Sequence, residues 1–105
     1  MDNLKYQKGL IEAMKMLADN DYLFIGETVE YPGSPMFKSL KEVSMDGRLE
    51  MPVFENTQMG VSIGLALEGI KVCSIFPRID FLICAIDQLV NHLDKIKAMS
   101  RNEFN

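Results

Sequence analysis

A chain of 105 residues, 48% hydrophobic and 25% charged, has the composition of an ordinary globular domain or part of one. No apolar run approaches the roughly 20 residues of a membrane span, and a net charge of −4 without a basic cluster disfavours a phosphate-neutralising nucleic-acid surface. The N-terminal MDNLKYQKGLIEAM lacks both an uninterrupted apolar stretch and a small-residue cleavage site, so a cytoplasmic protein is expected.

Leu10, Ile11, Met14 and Leu17 recur at helical spacing with Lys8, Glu12 and Lys15 facing away, which predicts a helix over Leu4–Ala18. Asp19-Asn20-Asp21 ends it, because these side chains favour turns over helix interiors. Tyr22–Ile25, a short apolar run before Gly26, reads as a strand buried on both faces. From Glu27 to Gly47 periodicity is lost: Tyr31-Pro32-Gly33-Ser34-Pro35 is turn-rich, Met36–Val43 has room for one or two helical turns, and Asp46-Gly47 is a tight turn.

A second helix is expected over Thr57–Glu68. Its Gly60 and Gly64 each cost about 1 kcal/mol relative to alanine, which points to a close approach by neighbouring backbone or ligand. Gly69 stops that helix. Ile70–Phe76 is the second clear strand. Leu82–Met99 is the best-patterned helix, with Leu82, Ala85, Ile86, Leu89, Val90, Leu93 and Ile96 as its apolar stripe. Helices alternating with short apolar strands argue an α/β fold with a parallel sheet.

Cys73 and Cys84 both sit in apolar company and read as two buried thiols of a reducing compartment. With one histidine and no Cys-x-x-Cys, no metal site is expected. His92 falls on the polar side of the last helix. Glu55, taken alone, is a carboxylate favourably placed beside a positive helix terminus. Its position after Val53-Phe54 would let desolvation raise its pKa, as an acid working near neutral pH requires. Phe81 is an aromatic anchor at a strand–helix junction, and Asp80 a cap for the helix after it. Glu27 follows Gly26 at a strand's carboxyl end, where open α/β sheets place ligands, although as a bare residue it is a solvated loop carboxylate.

ENTQMGVSIGLALEG (from Glu55) and RIDFLICAIDQLVN (from Arg78), in that order, resemble the pyrimidine-binding domain of thiamin-diphosphate enzymes of the transketolase superfamily. The likeness is greatest to beta subunits of the decarboxylating component of 2-oxo acid dehydrogenase complexes. It runs from Leu4 to Phe104 and implies that residues 1–105 are a partial, truncated domain of three-layer, parallel-sheet type. It also implies a role for Glu55: hydrogen-bonding a ring nitrogen of the aminopyrimidine and so activating the cofactor for ylid formation. Phe81 would present its ring to the aminopyrimidine, Glu27 would make a supporting contact, and Gln88 and Asn91 would serve subunit packing. No Gly-Asp-Gly motif occurs in the sequence. The pyrophosphate and its magnesium ion would therefore be held by a partner subunit or domain, and the isolated chain would be inactive. Two alternatives share these residues: a non-catalytic interaction module, and the half-site of a transketolase- or decarboxylase-type enzyme. An oligomer is expected from the open sheet edge.

Overall fold

The computed structural model describes residues 2–100; Met1 and residues 101–105, with Phe104 at the end of the resemblance, lie outside the described residues. Helix α1 (Asp2–Asp19) is followed by β1 (Leu23–Gly26), a short α2 (Pro35–Ser39), β2 (Arg48–Glu50), α3 (Glu55–Leu67) and β3 (Val72–Ile75). A last helical stretch starts with α4 (Ile79–Leu82), tightens to 3₁₀ winding over Ile83–Ala85, widens to π winding over Gln88–Leu93, and ends in α5 (Ile96–Ser100). All three strands are parallel, in the order β2-β1-β3. The expected α/β architecture is present.

β1 is the central strand, and its Phe24 and Ile25 are fully buried, as a strand covered on both faces requires. On one face Phe24, Val29, Leu40, Val43 and Ile75 form a core that Met14 and Leu17 of α1 cover. On the other, Met59 and Ile63 of α3 meet Ala85, flanked by Leu82, Leu89, Leu93 and Ile96 of the last helical stretch. Leu10, Ile11, Met14 and Leu17 are half-buried and Lys8, Glu12 and Lys15 exposed, as their spacing predicts. α1 ends where Asp21 takes a left-handed φ of 64°. α3 closes in a Schellman cap: the Gly69 amide donates to Ala66 (3.0 Å) and the Ile70 amide to Leu65 (3.0 Å), with Gly69 at φ 86°.

Four expectations need correction, and one strand was not foreseen. The strand expected over Ile70–Phe76 is Val72–Ile75, and its half-buried residues mark it as an edge strand. β2 carried no apolar signal, since Arg48-Leu49-Glu50 is held by charged side chains rather than by hydrophobic faces. Ile86 and Val90 are about half exposed (53% and 49%), because the changes of winding at Ile83–Ala85 and Gln88–Leu93 rotate them off the buried stripe. The same rotation leaves Cys84 exposed, whereas Cys73 is half-buried and burial pushes its thiol up. Finally, neither helix glycine meets the expected close approach: Gly60 has only the Gln88 carboxamide at an ordinary 3.6 Å from a would-be Cβ, and Gly64 has no described neighbour within 4 Å.

Candidate functional site

In parallel sheets, ligand-facing groups gather where strands end in their carboxyl termini, because loops and helix N-termini converge there. Glu27 directly follows β1, Glu50 is the last residue of β2, and Glu55 is the first residue of α3. The helix starts two residues before its expected Thr57, so Glu55 lies in its first turn, where a carboxylate is favoured by the helix dipole.

Glu27 and Glu55 meet. Burial, then the Glu55 charge and a side-chain hydrogen bond to Glu55, and last the Glu50 charge, push the Glu27 carboxyl up from the usual glutamate range. With the Glu55 charge beside it, Glu27 takes up a proton more readily than an isolated glutamate. Around the pair several buried polar oxygens lack a donor among the described residues: Thr28 Oγ1, Asn56 Oδ1 and Gln58 Oε1. Asn56 Oδ1 and Gln58 Oε1 are free acceptors, and the Thr28 hydroxyl can accept or donate.

Gln58 is 1% exposed, one turn after Glu55. Its Nε2 donates to Ile75 O (2.8 Å) and lies within reach of Ser74 Oγ (3.0 Å) and Ile25 O (3.3 Å), pinning α3 to the ends of β1 and β3. Ser62 continues the network, donating to Gln58 O (2.8 Å). At Gly26 a Cβ would fall 2.4 Å from Ile75 O, so only glycine permits this approach of β1 to β3.

Phe81, the third sequence candidate, stands in α4, beyond the carboxyl end of β3. It is half-buried beneath the Arg78 guanidinium, 5.2 Å from the ring centroid. The structure brings Glu27 and Glu55 near enough for the Glu55 charge to push the Glu27 carboxyl up, and the ring contact of Phe81 is with Arg78. Asp80 is not a cap: it lies inside α4 and pairs with Arg78 at 2.9 Å, leaving Arg78 itself at the cap position. His92 is exposed beside Asp87 (3.4 Å), as expected of a surface residue. Gln88 packs within the chain against Gly60, and Asn91 bonds Asp87 at 2.9 Å.

Reading the sequence missed Glu50, Arg48, Asn56 and Gln58. For the first two a signal existed: Arg48-x-Glu50 after a turn glycine puts two charges on one face of an extended segment. A groove of 570 Å³ lies elsewhere, bounded by Tyr22 and Val72 at the opposite strand ends and by Ala66 and Leu93. It is the open flank of edge strand β3 and has none of the glutamates in its lining.

No family model matches the sequence. Pyruvate dehydrogenase E1 component subunit beta of Rhizobium meliloti is 30% identical over 99% of this chain and 24% of its own length. The beta-1 subunit of Oryza sativa is 30% identical over 87% of the chain, and the beta subunit of Ascaris suum 32% identical over 82%. This chain is a relative of the pyruvate dehydrogenase E1 beta subunits. It spans about a quarter of their length, and its three parallel strands with helices on both faces are those of a partial, transketolase-like pyrimidine-binding domain. In this beta-subunit-like chain Glu55 and the glycine-bearing α3 lie in one of the two segments that carry the resemblance, and Glu27 lies outside both.

Proposed function

We propose that this chain supplies the pyrimidine side of a thiamin-diphosphate site in a cytoplasmic 2-oxo acid dehydrogenase beta-like subunit. The observation that carries the reading is the gathering of Glu27, Glu50 and Glu55 at the carboxyl ends of the parallel strands, where burial and the Glu55 charge push the Glu27 carboxyl up. The residues present fit an aminopyrimidine, a ring bearing an amino donor: Glu55 and the donor-less oxygens of Thr28, Asn56 and Gln58 accept hydrogen bonds there. Glu55 would hold the ring nitrogen, Glu27 would make the supporting contact, and Phe81 would contribute its ring face after leaving Arg78.

When bound, thiamin diphosphate supplies the electron sink for decarboxylating a 2-oxo acid. The chain's own part is narrower. Glu55 accepts or returns a proton at a carboxyl oxygen, and Glu27, its carboxyl pushed up by burial and by the Glu55 charge, is the supporting carboxyl beside it. Gln58 and the glycine contact at Gly26 hold α3 against the strand ends, so that Glu55 keeps its place. The pyrophosphate and magnesium belong to a partner subunit or domain, and the exposed apolar row Ile79, Ile83, Ile86 and Val90 supports assembly into an oligomer.

The same exposed row favours the second reading, a non-catalytic module that docks on intact subunits. Calorimetry and carboxyl NMR separate the two. Thiamin diphosphate added to the chain alone should bind weakly, without magnesium dependence, and perturb the Glu27 and Glu55 resonances; Glu55→Gln should abolish that perturbation. No perturbation, or one untouched by Glu55→Gln, leaves the docking module. Tight magnesium-dependent binding by the chain alone would refute the half-site.

A further inference from the structure

Glu50 ends β2 directly beside Gly26 of β1, and its carboxylate faces back over the loop that follows β1. Three successive amides donate to it: Thr28 (2.7 Å), Val29 (2.9 Å) and Glu30 (3.1 Å). Consecutive amides converge on one anion only where the backbone folds into a concave nest. Here the nest requires Thr28 at φ 58°, a conformation that a β-branched residue strongly disfavours. Nothing in the Thr28 side chain compensates, since its hydroxyl oxygen has no partner among the described residues. The turn is held by Glu50 instead.

The rest of the loop is tied to the same strand. The Glu50 amide donates to the Glu30 carboxylate (3.3 Å), and the Met51 amide to Gly26 O (2.9 Å). Arg48, 8% exposed and on the same strand, donates to Val29 O (2.8 Å), Leu40 O (2.6 Å) and Val43 O (2.8 Å). Glu27 is thus a single residue between two anchored neighbours: Gly26, seated between β2 and β3, and Thr28, held in the Glu50 nest. Its side-chain direction follows from those two anchors.

We propose that Glu50 is the positioning residue of the site, fixing the left-handed turn at Thr28 that delivers Glu27 to Glu55. Its catalytic meaning rests on the pyrimidine half-site reading, but the geometry does not. The titratable groups acting on Glu27 are Glu55 from α3 and Glu50 from β2, so removing Glu50 also removes a charge. A simple shift of Glu27 in a Glu50 variant would therefore be ambiguous. The coupling between Glu27 and Glu55 is not.

The experiment is a carboxyl-carbon NMR titration of Glu27 in the full chain, without cofactor, in four proteins: wild type, Glu55→Gln, Glu50→Gln and the double variant. In the wild-type background Glu55→Gln should lower the Glu27 midpoint. In the Glu50→Gln background that downward movement should vanish, because Glu27 no longer reaches Glu55. An equal movement in both backgrounds overturns the proposal while leaving the aminopyrimidine reading intact. Conversely, absence of cofactor binding would sink the half-site and leave this coupling unaffected. Should Glu50→Gln fail to fold, Glu50→Asp takes its place in the same comparison, since its shorter carboxylate cannot reach all three amides. The effect of Glu55→Gln on Glu27 should then shrink, and an undiminished effect refutes the positioning role.

Discussion

Gly26→Ala should be among the most damaging single-methyl additions to this chain. The new Cβ would sit 2.4 Å from Ile75 O, a backbone atom fixed in the β1–β3 ladder, so no side-chain rotation can relieve the clash. Overpacking typically costs about 1–3 kcal/mol, and a rigid backbone obstacle places this case at the upper end, about 3 kcal/mol. For a domain of this size each kcal/mol lowers the melting temperature by about 4–8 °C, so a fall of about 12–24 °C is expected. Gly60→Ala and Gly64→Ala make internal controls of opposite sign. At Gly60 the nearest atoms are the Gln88 carboxamide at 3.6 Å, an ordinary contact, and at Gly64 there is open space. Both should gain about 1 kcal/mol of helix propensity. Circular-dichroism melts and urea titrations of the three variants decide the matter. A Gly26→Ala chain melting within a few degrees of wild type, or loss of stability in both helix variants, would refute the packing argument.

Glu27→Gln should stabilise the chain at neutral pH: the fold raises the Glu27 carboxyl, so the native state holds more protons than the unfolded one, and stability falls as pH climbs through the unfolded and then the folded midpoint. Urea titrations across pH should therefore show the advantage of glutamine shrinking to nothing in acid; a constant advantage would contradict the raised Glu27 carboxyl. Arg48→Met should cost about 3–5 kcal/mol, because three carbonyls lose a charge-assisted donor, and a loss near zero by urea titration would show that the loop holds without it. In sedimentation at micromolar concentration the wild-type chain should self-associate and Ile83→Glu should shift it toward monomer, since Ile83 is 65% exposed in an apolar row; a compact wild-type monomer would refute this.

Local pattern alone was enough for the class of fold. Periodic apolar residues located α1, α3 and the last helical stretch, a four-residue apolar run located β1, and Gly69 marked the end of α3, because each is written in neighbours along the chain. Glu55 and Glu27 stood out in the sequence only through the family resemblance, and the structure places both at the carboxyl ends of the strands. What tertiary structure decided is everything held by contacts distant in sequence. β2 exists because Arg48 and Glu50 bind the backbone of a loop some twenty residues earlier, a role that no hydrophobic pattern encodes. The uneven winding after Phe81, which exposes Cys84, Ile86 and Val90, depends on how that segment packs on α3. The raised carboxyl of Glu27 likewise arises only when a strand end and a helix start, twenty-eight positions apart in the numbering, are folded together where burial and the Glu55 charge disfavour its ionisation.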